Sequence, residues 1–416
     1  MQLKKPKPIR QLLTAATSSL LAGTVCHAQG QEQIPWQVDS ALLYYSEKNR
    51  VTVFEPVVAV RKDIGDEQFV GVRLVLDSMT GASPNGAIPL DTPQTFTTPS
   101  GNATFTTPAG ETPLDNTYRD FRAALSAEWE TPLSEHLKTV IGGNYSQERD
   151  YSSLGASLNL AWDLNKRNTT LATGISMSHD QVNAVGYVPV GLSAVPTQAG
   201  VQKNLQSKGA VSKDIKEWLL GVTQVLGPRT LLQFNFTLAD EQGYLTDPYK
   251  ILSVLDNSGQ LRSTDPYLYE KRPDSRRRQA LYFKLNHQFG ADVVQAGYRY
   301  YEDDWGIISH TYNLHYRYEF TGGRHYLQPH LRYYLQSKAD FYHYSLQSSN
   351  MPAFASADYR LGDMSTTTLG LKYGMVLGDS HEFGTRLESM QQKAEGDAPF
   401  TDNTAIILQL DYSFLF

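Results

Sequence analysis

The sequence predicts an all-β protein, a transmembrane antiparallel β-barrel of about 16 strands. Three observations predict this fold class. Apolar and polar residues alternate along many segments, short and long connections alternate between these segments, and the last segment ends in aromatic residues. No apolar run approaches the roughly 20 residues that a membrane-spanning helix needs. The fold class therefore follows from the pattern of the strands and their connections.

Alternation with period two is the first observation. Successive side chains of a β-strand point to opposite faces, so an apolar residue at every second position gives the strand one apolar face. The clearest apolar sets begin at Val70, Leu154, Leu232, Leu281, Tyr312 and Leu369. A soluble β-sandwich would alternate in the same way, so the period alone does not separate the two folds.

The connections favour the membrane barrel. Short turns are predicted at 63–66, 131–133, 165–168, 227–229, 289–291, 321–324 and 377–380. Long connections lie between them at 78–117, 180–208, 246–275 and 341–363. Short periplasmic turns and long extracellular loops are typical of transmembrane barrels, and an even strand count places both termini in the periplasm.

The first long connection contains a small repeat. The sequence TFTTP occurs at 95–99 and again at 104–108, with Gly and Ser between the copies. A segment so rich in Thr and Pro is not expected to build a core of its own. We therefore predict a surface-exposed or partly lumen-folded loop, which is a tolerated insertion or a recognition element.

The N-terminus has the three parts of a secretory signal peptide. A basic stretch with Lys4, Lys5, Lys7 and Arg10 precedes a short apolar region at 12–25 and a small-residue cleavage site that ends at Ala28. The alternative is an amphipathic N-terminal helix. The sequence predicts cleavage after Ala28, which leaves residues 29–416 as a single barrel domain in the outer membrane of a Gram-negative bacterium.

Removal of this leader also restricts the chemistry. Cys26 is the single cysteine, so the mature chain has no thiol for a disulfide, a nucleophile or a cysteine metal site. The four basic residues of the leader are lost as well. The mature chain then has 33 basic residues against 43 acidic residues, and its formal charge changes from −6 to −10. Nucleic acid is therefore not an expected partner.

The last segment is the third observation. Its alternate residues Leu408, Leu410, Tyr412, Phe414 and Phe416 form one apolar face with aromatic rings at its end. This pattern fits a closing strand whose aromatics lie at the membrane interface, and it resembles the C-terminal signal for insertion of outer-membrane barrels. The predicted partners of this strand are outer-membrane lipid and the barrel-assembly machinery.

Several longer stretches resemble a bacterial family catalogued as domain of unknown function 3570 (DUF3570). They are DSMTGASPNG at 77–86, YSQERDY at 145–151, GYLTDPYK at 243–250, RPDSR at 272–276 and YYEDDWGI at 300–307. The resemblance covers nearly the whole mature chain. It implies an outer-membrane barrel, and it supplies no catalytic residues.

The polar face of four successive predicted strands is basic. We call this set the basic wall, and its members are Arg276, Arg278, Lys284, Arg299, His315, Arg317, His330 and Arg332. Asp303 and Glu319 are the only acidic residues expected to offset it on these strands. Because guanidinium groups suit carboxylate and phosphate, the wall predicts a porin-like channel for small polar solutes, biased toward anions.

Two alternatives to an anion-selective wall remain open. The inward faces of the other strands also carry charges, namely Arg73, Asp77, Glu128, Glu217, Glu241, Arg386, Glu388 and Asp411. All these groups together fit an ion-pair network that keeps the barrel open and in shape. Alternatively, the long loops plug the lumen, and the barrel is a scaffold or docking site for a periplasmic or surface partner protein.

Two further clusters contain residue types that occur in metal or catalytic sites. The carboxylates of Glu302, Asp303 and Asp304 could hold a divalent cation if a turn gathers them, and otherwise form a solvated tip at the outer rim. Ser309 and His310 are neighbours in a strand, so their side chains face opposite sides, and no G-x-S-x-G motif is present. We therefore predict that the protein is not an enzyme and has no catalytic residue, cofactor or metal.

Overall fold

The computed structural model describes residues 36–378, 380–394 and 402–416. The predicted signal peptide and its cleavage site lie outside this part of the chain. The described residues form a closed antiparallel barrel of 16 strands, each paired with its neighbours in chain order, and the first strand pairs with the last. The predicted fold class and strand number are confirmed.

The barrel strands are numbered here in chain order. They are β1 Trp36–Glu47, β2 Val51–Gly65, β3 Gln68–Pro84, β4 Leu114–Ser134, β5 Leu137–Gln147, β6 Tyr151–Leu164, β7 Thr169–Val182, β8 Val211–Gly227, β9 Thr230–Gly243, β10 Ser275–Phe289, β11 Asp292–Asp303, β12 Ile308–Phe320, β13 His325–Gln336, β14 Met364–Leu377, β15 His381–Ala394 and β16 Asn403–Leu415.

The barrel is apolar outside and polar inside, the reverse of a soluble protein. The apolar side chains of the predicted strand faces point outward and are exposed or partly exposed; Leu154, for example, is 64% exposed. Polar side chains of the inner face, such as Gln233 and Asn286, are buried. Hydrocarbon covers such an outer surface in a transmembrane barrel. Among the described residues, no helix is both long and apolar enough to cross a bilayer.

One end of the barrel carries only short turns. They lie at 66–67, 135–136, 165–168, 228–229, 290–291 and 321–324, and between Leu377 and His381. Trp36 and Phe416 meet at the same end through two backbone hydrogen bonds of 2.7 and 3.0 Å. The turn predicted at 131–133 begins later, because β4 continues through Pro132 with a register shift before Ser134. Proline is tolerated at such a strand end because its missing N–H is not needed there.

The other end, called the outer end here, carries the four long connections. They are loop A (85–113), loop B (183–210), loop C (244–274) and loop D (337–363), in the places where the sequence predicts them. Short strands lie within them, at Gln94–Thr97, Thr104–Thr107, Val188–Pro189, Leu205–Ser207, Ile251–Leu255, Tyr267–Tyr269 and Leu346–Gln347. Within the described residues, 3-10 turns lie at Tyr359–Leu361 in loop D and at Thr321–Gly323, between β12 and β13 at the opposite end.

Loops A to D pack on one another, and we call this assembly the cap. One apolar cluster joins loops A, B and C around Phe96, and another joins loops B, C and D around Leu252. A third joins loop D to Trp305 in the turn between β11 and β12. The Thr-Pro repeat of loop A is a hairpin whose Phe96 is only 2% exposed. Loops B and C thus supply the core that loop A alone lacks, and the repeat is packed within the cap.

Candidate lumen site and its cap

The strand registers place the whole predicted basic wall on the inner face of β10 to β13. Arg276, Arg278 and Lys284 are on β10, Arg299 is on β11, His315 and Arg317 are on β12, and His330 and Arg332 are on β13. Inner-face positions on neighbouring strands pair directly, as His315 does with His330. The eight residues therefore form one continuous patch of the lumen.

Carboxylates neutralise the outer part of this patch. Arg276 binds Asp303 at 2.5 Å, and its guanidinium lies 4.3 Å from the centre of the Trp305 ring in the third cap cluster. Arg278 binds Glu241 of β9 at 2.5 Å. These two arginines thus brace the wall against β9 and against the cap.

Arg317 is also paired with a carboxylate, near the end of the barrel opposite the cap. It binds Glu319 at 3.0 Å, and its guanidinium lies 3.7 Å above the ring of Tyr326. The Tyr326 hydroxyl donates a hydrogen bond of 2.9 Å to Glu382. The ring lies over Gly374, where a Cβ atom would approach it to 2.0 Å, so glycine is required for this stack.

The two histidines form a stacked pair. The rings of His315 and His330 are 4.0 Å apart and nearly parallel, at 6°. Nδ1 of His330 lies 2.8 Å from Glu388, which also lies 3.7 Å from Arg386 of β15. Glu241 and Glu388, from strands on either side of the wall, therefore add to Asp303 and Glu319 of its own strands in offsetting the basic residues.

Arg299 and Arg332 differ from the other arginines of the wall. Both are exposed to the lumen, and no carboxylate among the described residues lies within 4.0 Å of either guanidinium. Arg299 is 5.4 Å from the ring of Tyr301, a cation–π contact that leaves its N–H groups available. Sequence reasoning did not distinguish these two residues from their paired neighbours.

The wall formed by β5, β6 and β7 has a different character. The middle of its inner face carries small, uncharged residues, which are Gly142, Asn144, Ser153, Gly155, Ser157, Asn159, Gly174 and Ser176, while Asp163 and Asp180 lie toward its two ends. The Asn144 and Asn159 side chains lie flat over Gly155 and Gly174. The middle of this wall therefore presents short, neutral side chains to the lumen, whereas the wall of β10 to β13 presents long, charged ones.

Contacts from several directions hold the cap across the outer opening. Loop C starts after β9, yet its Lys250 donates to the carbonyl of Pro84 at the end of β3, and its Tyr249 donates to Asp150 between β5 and β6. Loop D starts after β13, and Arg50 of the β1–β2 turn lies 5.3 Å from its Tyr359 ring. Because loops from well-separated strands meet, the cap covers the mouth of the lumen.

An ion cluster lies inside the cap, and we call it the cap latch: Asp247, Glu270 and Arg272 of loop C with Asp358 and Arg360 of loop D. Arg272 lies 2.6 Å from Glu270 and 2.9 Å from Asp358, whose side chains are 0% and 1% exposed. Arg360 binds Asp358 at 2.6 Å and Asp247 at 3.3 Å. The latch therefore ties loop C to loop D.

Burial and pairing act in opposite directions on the latch carboxylates. Burial raises the pKa of Glu270, and the charge of Arg272 only partly opposes it. Burial would also raise the pKa of Asp358, but Arg360, Lys250 and Arg272 hold that pKa well below its usual value. Asp358 is therefore ionised in the cap, and it depends on its basic partners.

The side chains of the two other predicted clusters, 302–304 and 309–310, point in different directions. Asp303 faces the lumen, while Glu302 accepts a hydrogen bond from Tyr300 on the outer face and Asp304 accepts one from the Arg277 N–H. These three carboxylates do not form one site. Ser309 faces the lumen and His310 contacts Tyr298 outside, as their positions in the strand predict.

A different acidic group brings its oxygens together. Asp120, Glu148 and Asp150 each offer an oxygen within 4.8 Å of the others, and a cation could bind there. Burial and the neighbouring Asp120 raise the pKa of Glu148 to about 7. This group gives no independent sign of a metal, so we interpret it as part of the contact between the barrel rim and loop C.

Comparisons with known proteins give one family match and several similar solved structures. A family model described as "Protein of unknown function (DUF3570)" matches residues 10–414. A search of curated proteins gives no match. Three similar solved structures are a bacterial polysaccharide outer membrane secretin (9% identity, TM-score 0.45), OccK5 (OpdH) of Pseudomonas aeruginosa (10%, 0.42) and the outer membrane protein opdK of the same organism (9%, 0.40). Each alignment covers 92% of this chain and 98–99% of the other chain. Similarities this low carry no inference about a solute.

Proposed function

The chain belongs to the DUF3570 family, and we propose its function from its own geometry. The protein is a gated, porin-like outer-membrane channel for small polar solutes, biased toward anions. The observation that carries the proposal is a polar lumen with two exposed arginines, Arg299 and Arg332, that lack carboxylate partners. A wall with uncompensated guanidinium groups attracts anions and raises their local concentration.

The cap supports gating. Its apolar clusters and its latch hold loops from separated strands across the mouth. A conducting state therefore requires these loops to part. We expect long closed periods and brief openings rather than steady conductance.

Single-channel recording in planar bilayers tests the proposal. The wild-type barrel should conduct, with reversal potentials in a salt gradient that favour chloride over potassium. Replacing both Arg299 and Arg332 with Gln should reduce this preference, because it removes two lumen charges that no carboxylate offsets within 4.0 Å. Arg317→Gln should have a smaller effect, since Arg317 is paired with Glu319. Arg167→Gln, in the turn between β6 and β7, is a matched control outside the lumen.

A second function is supported by the same cap. Its buried core makes it a compact plug, and a plugged barrel could scaffold or dock a periplasmic or surface protein. Affinity capture from outer membranes separates the two functions. A scaffold should retain a stoichiometric partner and show no conductance even with the cap latch broken. A channel should conduct and need no partner.

A further inference from the structure

The two unpaired arginines lie close together on the lumen wall. Arg299 pairs with Thr311 of β12, and Thr311 pairs on its other side with Tyr334 of β13. Arg332 pairs with Asn313, two residues further along β12. Adjacent strands are about 4.8 Å apart and residues rise about 3.3 Å each, so the two Cα atoms are about 12 Å apart. Two long arginine side chains can reach one small ligand across that distance.

The surface between the two arginines is polar and uncharged. The half-buried Asn313 lies on β12 between the strands of Arg299 and Arg332, and its amide can donate a hydrogen bond. Thr311 beside it is buried and forms the floor. The Tyr334 phenol interacts electrostatically with Arg299, Arg332 and Arg276. Positive potential is therefore concentrated over this floor.

Two carboxylates belong to the same region. Glu217 of β8 lines the same hollow as Arg299 but is not within 4.0 Å of its guanidinium, and Asp303 is already engaged. Asp303 accepts hydrogen bonds from Arg276 at 2.5 Å and from the Tyr301 hydroxyl at 2.7 Å. Its side chain is 0% exposed. Arg276 in turn lies against Trp305 of the third cap cluster. The two free guanidinium groups therefore lie below the cap and are not satisfied by the protein.

We propose that Arg299, Arg332 and Asn313 form a binding site for a small oxyanion, a carboxylate or a phosphate. The planar guanidinium fork makes two parallel hydrogen bonds to such a group, which chloride cannot accept in the same way. Two forks facing one floor favour a ligand with several anionic oxygens, such as phosphate or a short dicarboxylate, over a monocarboxylate. This inference rests on the proposed function, because the ligand enters through the lumen.

Equilibrium titration of the purified full-length barrel in detergent tests the site without any conductance measurement. The probes are inorganic phosphate, succinate and acetate, each against a chloride background. Phosphate or succinate should bind more tightly than acetate, and whichever of the two binds more tightly identifies the ligand chemistry. Arg299→Gln and Arg332→Gln should each weaken that binding by at least about tenfold, since each removes charge-assisted hydrogen bonds.

Two further variants keep the test decisive. Arg299→Lys preserves the charge but not the fork, and should lose most of the affinity if the forked geometry matters. Arg272→Gln loosens the cap, so that a closed mouth cannot hide the site. Arg167→Gln is the control, and the temperature at which each barrel loses its compact mobility in gels reports folding.

The outcomes separate the two proposals. Binding that depends on Arg299 and Arg332 supports the site even if no current is seen in bilayers. A barrel that conducts but binds phosphate and succinate no more tightly than acetate, in the wild type and in Arg272→Gln, overturns the site and leaves the channel intact. Binding that is unchanged in both glutamine variants overturns the site as well.

Discussion

The cap and the barrel wall bury opposite kinds of side chain. In the wall, apolar residues such as Leu154 face outward, and polar residues such as Asn286 are buried. In the cap, apolar residues such as Leu252 and Val254 are fully buried at 0% exposure, as in a soluble protein. One chain therefore contains a region built for hydrocarbon and a region built for water.

The difference shows what stabilises each region. The wall is held by strand pairing, because backbone N–H and C=O groups have no other partner within a membrane. The cap has short strands only, and it depends on apolar packing between loops and on the latch. Damage to a cap contact should therefore open the mouth while the barrel survives, and damage to the outer face should affect the barrel itself.

The largest expected effect is on the cap latch. Arg272→Gln leaves Glu270 and Asp358 buried without this partner, and removing one member of a buried pair costs about 3–5 kcal/mol. We expect loops C and D to become sensitive to protease and the open probability in bilayers to rise, while the barrel keeps its heat-modifiable gel mobility.

Lys208→Gln is the matched control for this prediction, because Lys208 is an exposed cationic residue of loop B. It should leave protease resistance and open probability unchanged. Protected loops and unchanged closure in Arg272→Gln would show that the latch does not hold the cap.

A smaller effect is expected at the lipid face. Ile175 is exposed near the middle of β7, between Leu158 and Trp218. Ile175→Arg should destabilise the barrel by about 2–4 kcal/mol, the cost of a basic residue near the bilayer midplane. Urea unfolding from lipid vesicles measures this change.

The adjacent residue provides the control. Ser176 faces the lumen and pairs with Glu217 of β8, so an arginine at this position can remain hydrated and meet a carboxylate. Ser176→Arg should cost much less than Ile175→Arg. Equal costs at the two positions would contradict the assignment of the outer face to hydrocarbon.

The smallest expected effect is a pH dependence of the cap. The pKa of Glu148 is about 7, above its usual value, because of burial and the neighbouring Asp120. Asp150 nearby accepts a hydrogen bond from Tyr249 of loop C. A raised carboxyl pKa stabilises the docked cap at low pH, and this contribution is lost as the pH rises through about 7.

The channel should therefore open less at pH 5.5 than at pH 8. In Glu148→Gln this dependence should be much weaker. Arg122 also acts on Glu148 and stays charged throughout this range, so it does not change the sign. An open probability that does not vary with pH in the wild type would refute the coupling.

The sequence predicts the barrel well because the governing pattern is local. Alternation within each segment determines which face meets lipid, and short turns such as 228–229 bring neighbouring strands together. Strand number, the order of short and long connections, and the inner positions of the basic wall all follow from it. The turn near Pro132 was predicted too early, because a strand can continue through proline at its end.

The sequence does not predict the pairing of charges across long loops. Loop C separates β9 from β10, so no tight turn fixes their register, and the bond between Glu241 and Arg278 cannot be read in advance. The cap core has the same origin. Contacts such as Phe96 with Tyr267 join loops that are far apart in sequence and lack a period. The distinction between Arg299 and the paired arginines therefore required the structure.

The meeting of Trp36 with Phe416 has a consequence for assembly. All other barrel pairings join strands that follow one another along the chain, whereas β1 and β16 are its most distant members. Until they meet, two open edges carry unpaired backbone donors and acceptors, which hydrocarbon does not tolerate. Insertion into the membrane and the pairing of β1 with β16 must therefore occur together. A partly inserted, open sheet is not a stable intermediate for this polypeptide.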